Sequence, residues 1–256
     1  MAEKPSFRSG CACIIPYYNE NGRVLNVLRV ATRVKGLSQI VCVDDGSDDD
    51  TTALVRRRFS SVTVVELPEN RGKAEAVRQG VRRVESDHVL LLDADLRFLV
   101  ARDVSMAIAR ITGDPGIDMI ILRRNGAAHS RICRGDVLFS GERILKTADL
   151  HEILRLRPER YQLEIAINTY MMDRRKTVYW MPSSAVNTYK LEKIGLGAGL
   201  ARELAMVRDV MSYQGIGMYV KQYLRFAREQ APVAPAYLGS LRVHFWKALR
   251  VYWENL

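Results

Sequence analysis

The sequence predicts an α/β fold, a doubly wound sheet followed by a helical C-terminal extension. Short apolar, β-branched runs alternate with amphipathic helical stretches through the first half of the chain, as in successive βαβ units. The run from His88 to Asp95 (HVLLLDAD) is too continuously apolar for a half-exposed strand and suits a central one covered on both faces. Three of the four strand-like runs end in polar or special residues, PYYNE, DDGSDDD and DADLR, at the carboxyl ends where sheets of this kind bind ligands.

Each element has a local reason. Ala12 to Pro16 is a short apolar run ended by proline. Arg23 to Val34 places Val24, Leu25, Leu28 and Ala31 on one helical face. Gln39 to Asp45 is apolar and ends in two acids, and GSDDDTTALVRRRF then opens on helix-capping residues. Val62 to Leu67 reads as a strand and Arg71 to Val84 as a helix. Ile117 to Leu122 is a further strand, and residues 123–142 are a basic, glycine-containing loop region. Arg160 to Arg174 reads as a helix, Thr177 to Pro182 as a strand, and residues 189–230 as mostly helical. Ala231 to Pro235 (APVAP) is the linker candidate before a final helix.

The length, 256 residues, fits one domain with an appendage. No apolar stretch approaches the roughly 20 residues of a spanning helix. The start, MAEKPSFRSG, has no apolar signal region, so a cytoplasmic location is expected. The four cysteines, Cys11, Cys13, Cys42 and Cys133, form no CxxC pair and read as reduced thiols. The formal charge of +10 points to an acidic partner: nucleic acid, phosphorylated substrate or anionic membrane. Basic and acidic residues are interspersed and no nucleic-acid motif occurs, so no nucleic-acid partner is expected.

Four motifs carry chemistry. Asp93 and Asp95 are two carboxylates at the end of an apolar strand. They repel unless a divalent cation such as Mg2+ or Mn2+ neutralises them, and a metal is the reading taken over a helix cap. In VDDGSDDDT, Asp44 and Asp45 follow a buried strand, and an acid there can accept a hydrogen bond from a base N–H. Asp48, Asp49 and Asp50 read as capping and solvation. Where a dinucleotide-binding enzyme carries GxGxxG, this chain has Pro16-Tyr17-Tyr18-Asn19-Glu20, which argues against NAD or FAD; either tyrosine can flank a base. In NRGKAEA, Gly72 and Lys73 stand at a helix start suited to an anion such as diphosphate, with a plain capped helix as the alternative.

Together IPYYNE, VDDGSDDDT, NRGKAEAVRQG and LLLDADL, in this order across residues 11–97, resemble the family 2 glycosyltransferases. Within that family the chain resembles the polyprenyl-phosphate sugar synthases (the dolichol-phosphate mannose synthase type) and glucosyl-phosphoglycerate synthase-like enzymes. FSGERILKT resembles the SGxR-containing segment of that group, and RYQLEIAINTYMMDRRKTVYWMP its Glu-bearing helix and following strand. The resemblance implies a GT-A fold, Rossmann-like, with a doubly wound mixed sheet. It implies a catalytic domain over 1–195, with nucleotide-sugar binding at about 11–97 and the acceptor side at about 98–195, and a helical extension over 196–256. Pro16, Tyr18 and Glu20 then line the nucleotide pocket, Asp45 contacts the base, and Lys73 lies near the nucleotide. Asp93 and Asp95 hold Mn2+ or Mg2+ on the diphosphate, Asp95 more directly. Arg143 matches an arginine near phosphate, and Glu164 the acidic residue of the acceptor-side helix. Asp95, Glu164 and Arg143 are the expected catalytic residues. Arg97 departs from the pattern: polyprenyl-phosphate synthases often carry Gln there, and a guanidinium cannot ligate a metal. The segment between Arg124 and Asp136 is also shorter than in many synthases.

The expected reaction moves a sugar from a nucleotide-diphosphate sugar to an acceptor, a polyprenyl-phosphate or other lipid-linked one, or alternatively a small soluble molecule or a polysaccharide. A sugar nucleotidyltransferase would need GxGTR after the first strand, which is absent. A non-catalytic nucleotide-sugar-binding scaffold could lose the DAD acids, yet they are intact. In residues 236–256, Leu241, Phe245, Ala248, Leu249 and Tyr252 share a helical face flanked by Trp246 and Trp253. Lys221 to Leu256 holds six Lys/Arg and two Glu, a local +4. The reading taken is an interfacial helix at the inner face of a membrane; packing on the domain or on a second copy in a homo-oligomer is the alternative.

Overall fold

The computed structural model describes residues 7–124, 134–158, 162–187, 215, 217–227 and 229–231. Its strands are β1 (Arg8–Tyr17), β2 (Leu37–Asp44), β3 (Thr63–Glu66), β4 (Ser86–Leu91), β5 (Leu96–Arg97), β6 (Met119–Arg123), β7 (Arg143–Lys146), β8 (Val178–Pro182) and β9 (Val186–Asn187). Its helices are α1 (Val24–Ala31), α2 (Thr51–Arg58), α3 (Lys73–Val81), α4 (Ala101–Thr112), α5 (Gly135–Leu138), α6 (Thr147–Arg155) and α7 (Gln162–Asp173), with α8 over residues 217–225. Seven strands form one mixed sheet in the order β3-β2-β1-β4-β7-β6-β8, while β5 and β9 make a small antiparallel pair. Only β7 runs against its neighbours in the large sheet.

Helices cover both faces, which is why the strands read as unbroken apolar runs. Cys11, Cys13 and Ile15 of β1 join the core formed with Val24 and Leu28 of α1 and Val104 and Ile108 of α4. Ala12 and Ile14, pointing the other way, pack with Ala76, Val77 and Val81 of α3; α6 and α7 cover the same face. A fully buried Leu or Ile contributes roughly 1.5–3 kcal/mol, so these two layers outweigh any single helix propensity. α2 depends on this packing least. It buries only Thr51, Thr52 and Val55, and ends in Arg56, Arg57 and Arg58, which complement its C-terminal dipole. The thiols of Cys11, Cys13 and Cys42 are free and buried. Burial pushes those of Cys11 and Cys42 up to about 12. Cys133 lies outside the described residues.

Three sequence readings change. β4 ends at Leu91, so Asp93 to Asp95 follow the strand rather than close it; Leu92 still donates its N–H to Ile14 O at 3.1 Å. β7 and α6 add two elements in a stretch to which the sequence reading assigns none, although Leu150, Ile153 and Leu154 of α6 do stand at helical spacing. Four residues, RILK, are too few to declare a strand, although Ile144 and Leu145 fill opposite cores. The linker candidate begins inside the fold, because Ala231 N–H donates to Trp180 O and Trp180 N–H to Glu229 O, adding a short bridge at the β8 edge. The expected boundary at 195/196, the rest of the linker and the final helix at 236–256 lie outside the described residues.

Gly80 lets α3 approach the sheet. A Cβ there would stand 2.8 Å from Ile14 Cγ2 and 3.0 Å from Val43 Cγ2. Ala is the better helix former by about 1 kcal/mol, but overpacking a core costs roughly 1–3 kcal/mol. Gly80→Ala is therefore expected to lose about 1 kcal/mol of stability net, measured by urea denaturation; a gain would show that the two methyls yield freely.

Candidate active site

The strand order reverses at β1, with β2 and β3 to one side and β4 to the other. Chain segments leaving β1 and β4 must diverge there, which opens a crevice beyond the carboxyl ends. Tyr18 to Glu20 follow β1, Asp45 and Gly46 follow β2, and Asp93 to Asp95 follow β4. Because β7 is antiparallel, its first residue pairs with the last of β4, Arg143 opposite Leu91. The Ser140-Gly141-Glu142 segment thus arrives at the same edge. Glu164 comes from the first turn of α7.

The β2 turn is held by its own acids. Asp44 accepts hydrogen bonds from Ser47 N–H and the Thr52 hydroxyl, and the Tyr17 hydroxyl lies 2.7 Å from that of Thr52. These bonds commit Asp44 and Tyr17 to the fold. The two oxygens of Asp45 accept N–H bonds from Arg71 (2.9 Å) and Gly72 (2.7 Å). Asp45 therefore occupies the anion position before α3 that the sequence suggested for diphosphate, and burial raises its pKa despite these bonds. Gly46 has φ +76°, and a Cβ there would meet the Glu69 backbone at 2.5 Å, so only glycine fits both the turn and the approach. Asp49 accepts N–H bonds from Asn21 and Thr51, as a capping reading requires.

At the centre, the Lys73 ammonium donates to Asp93 Oδ1 at 2.6 Å and Glu164 Oε1 at 2.7 Å. Burial pulls its pKa down, but the two carboxylates outweigh burial and hold it charged, above the usual lysine value. Burial likewise pushes Asp93 up, and Lys73 and Arg124 more than reverse this. Arg124 lies with Nη1 3.7 Å from Asp93 Oδ2 and Nε 3.4 Å from Glu142 Oε2, and its Nη2 donates to Phe139 O. Glu142 is fully buried and accepts the Ser140 hydroxyl at 2.8 Å, while its Oε1 has no partner. Burial raises its pKa to about 7, against the pull of Arg124. Two cations thus face three carboxylates, and the raised Glu142 carboxyl eases that excess of negative charge. A Cβ on Gly141 would fall 2.5 Å from Asp93 Oδ1 and 2.7 Å from Lys73 Nζ, so this glycine seats the ion pair.

Asp95 lies on the other side of the DAD segment. With Arg23, Asn26, Leu96 and Arg97 it lines a cavity of about 260 Å³. Arg97 is exposed, its guanidinium 5.6 Å from the Phe98 ring centroid. Among the described residues no three His, Cys, Asp or Glu side chains are grouped to hold a metal by themselves. The oxygen donors of Asp95 nevertheless suit a hard cation that takes its other ligands from phosphates and water, whereas Asp93, expected beside it as a ligand, is engaged by Lys73 and Arg124.

Of the other expected residues, Tyr18 and Glu20 reach the crevice edge, whereas Pro16 and Arg143 do not. Tyr18 is 44% exposed just past β1, and Glu20 accepts from Arg23 Nε at 2.8 Å. Pro16 is buried within the sheet, opposite Val43. Arg143 is the correction. It is 0% exposed, and its guanidinium donates to Ser140 O, Leu138 O, Glu164 O and the Asn168 side chain. Burial without a carboxylate in contact lowers its pKa to about 10. With its donors spent inside the protein it braces the crevice wall rather than facing a phosphate. Arg124 and Glu142 were missed. For Arg124 the available signal was its place directly after the apolar run IDMIILR, much as acids follow β2 and β4; Glu142 had none.

Residues 12–176 match the family model described as Glycosyl transferase family 2. An uncharacterized glycosyltransferase, YaiP, of Escherichia coli K12 is 35% identical over 99 residues, 37% of this chain and 25% of that protein. The poly-beta-1,6-N-acetyl-D-glucosamine synthase of Staphylococcus aureus is 34% identical over 89 residues, 34% of this chain and 22% of that one. The aligned region thus spans about a quarter of each relative. Glucosyl-3-phosphoglycerate synthase from Mycobacterium tuberculosis, solved with Mn2+, UDP-glucose and phosphoglyceric acid, superposes with a TM-score of 0.63 at 19% identity, covering 80% of this chain and 79% of that one. Its complex with Mg2+ and UDP gives 0.61 at 20% identity over 80% and 79% of the two chains. These two likenesses bear on the fold, which is that of the GT-A enzymes.

The raised carboxyl of Glu142 sets a pH dependence. Its folded pKa, about 7, lies above the unfolded value, so the folded state holds the proton longer and this group's contribution to stability falls as pH rises from about 4.5 to 7. Glu142→Gln cannot titrate. The variant is expected to gain on the wild type between pH 5 and pH 8 by on the order of 2 kcal/mol, read from paired urea denaturations. A pH-independent difference would place the Glu142 pKa near its ordinary value.

Proposed function

Since the chain belongs to the family 2 glycosyltransferases, we propose that it transfers a sugar from a nucleotide-diphosphate sugar, and that transfer takes place in the crevice between β1 and β4. The observation that carries this reading is the charge arrangement at the switch point: Asp95 beside a cavity, with Asp93 bridged by Lys73 to Glu164. The catalytic domain in this reading is 1–195.

Tyr18 and Glu20 border the nucleotide, with Pro16 setting the backbone beneath them. Asp45 keeps unused lone pairs on both oxygens after accepting two N–H bonds, so it can still accept from a base. Asp95, with Asp93 behind it, holds Mn2+ or Mg2+; when bound, that cation supplies charge neutralisation at the leaving diphosphate. Lys73 and Arg124 add fixed positive charge that needs no reorganisation during the reaction. Arg143 works through Leu138, Ser140 and α7, as a positioning residue.

The acceptor proposed is one bearing a phosphate. A phosphate is already anionic and needs no general base, which agrees with a Glu164 that accepts from Lys73 and serves to orient it. A polyprenyl-phosphate meets that description, and the basic, tryptophan-flanked stretch 236–256 supports attachment at a membrane surface. Among the described residues no helix is long and apolar enough to cross one.

Incubation with UDP- and GDP-sugars plus Mn2+, followed by product analysis with polyprenyl phosphate and with phosphoglycerate, tests donor and acceptor together. Asp95→Asn is expected to lower transfer at least a hundredfold while leaving the melting temperature unchanged, and excess chelator to do the same to the wild type. Full activity in either case rules out the metal role. Arg124→Lys is expected to cost activity at constant stability, whereas Arg143→Lys is expected to lower stability first.

A further inference from the structure

A larger cavity, about 630 Å³, opens at the opposite end of the sheet. It lies where α7 gives way to β8, under α8. Val178 begins β8 at this end and Pro182 finishes it at the crevice end, so roughly 13 Å of strand separate the two. The floor is apolar, formed by the buried Met171 and Phe226. The rim is cationic. Arg175, Lys221 and Arg225 are exposed and make no ion pair among the described residues, and Glu229 is the one acid lining the cavity. Lys176 is already committed to Asp118 at 3.2 Å and Asp149 at 3.0 Å.

The adjoining face of α8 is unusual for a solvated surface. Val220 and Leu224, one turn apart, are 46% and 55% exposed, and Lys221 and Arg225 stand beside them at the same spacing. Isolated exposed apolar residues need no explanation. Two in register with two cations, at the mouth of a cavity with an apolar floor and a third cation, match the two chemistries of an anionic lipid surface: phosphate outside and hydrocarbon just beneath.

We propose that the flank formed by the end of α7, the start of β8 and α8 docks on anionic phospholipid. A headgroup phosphate sits at the cavity mouth between Arg175, Lys221 and Arg225, and Val220 and Leu224 enter the acyl boundary. This surface uses none of residues 236–256 and none of the crevice. It holds whether or not the transferase reading is correct.

Cosedimentation of the full chain with vesicles of phosphatidylglycerol and phosphatidylcholine, against pure phosphatidylcholine, tests it. The wild type is expected to bind the anionic vesicles only. Lys221→Glu with Arg225→Glu is expected to weaken that binding at least tenfold, and Leu224→Ser severalfold, both at wild-type melting temperature. Arg175→Glu serves as an independent charge variant. Reversing Arg242, Lys247 and Arg250 instead is expected to leave a component that Lys221→Glu with Arg225→Glu removes. Vesicle affinity unchanged by the α8 reversals overturns the proposal. So does equal binding to neutral vesicles, or stabilisation by inorganic phosphate through Lys221 and Arg225 without any vesicle binding, which would assign the cavity to a free phosphate.

Discussion

One ammonium group joins three distant stretches of this chain. Lys73, at the start of α3, reaches Asp93 beyond β4 and Glu164 on α7, and so closes the crevice from below. Losing one partner of a buried pair costs about 3–5 kcal/mol, and less at a partly solvated site such as this. Other parts of the wall are arranged around the bridge. Gly141 lacks a side chain so that Asp93 and Lys73 can meet, and Arg143 ties the Leu138 to Ser140 segment to the α7 backbone that carries Glu164.

The reversal of β7 is what makes this possible. A parallel strand in that place would bring its carboxyl end to the crevice and send the SGER segment to the far side. Running backwards, β7 delivers Ser140 to Arg143 where β4 delivers its acids, so glycine, arginine and glutamate converge on the same few ångströms. The crevice therefore has a parallel half, built from β1, β2 and β4, that presents acids and aromatics. Its other half presents Arg124 and the buried Glu142.

The parallel half was legible in the sequence because each strand there shows as an apolar run with a polar break just past its end. β1, β2 and β4 announce both their burial and their polar ends, and Asp45, Asp93 and Asp95 lie just past those ends. The second half was not legible. β7 is four residues long, and its buried arginine looks in sequence like any surface cation; the family resemblance sets Arg143 near a phosphate, whereas its donors go to three backbone carbonyls and the Asn168 side chain. Lys73 was found for a reason only partly right: the helix start suits an anion, but Asp45 fills that place, and the lysine extends to carboxylates whose nearness depends on tertiary packing. Glu142 gave no local sign, since a single acid between glycine and arginine acquires its character only when buried.

The three thiols of β1 and β2 lead somewhere different. Cys11, Cys13 and Cys42 are buried and free, with Cys11 and Cys42 held near pKa 12, so at neutral pH they present almost no thiolate to any reagent while the sheet is closed. Cys42 pairs in register with Ile15 at the heart of the sheet. Alkylation there must wait for β1 and β2 to part, so the rate at which its peptide gains mass is a clock for sheet opening, built into the strands that carry the crevice.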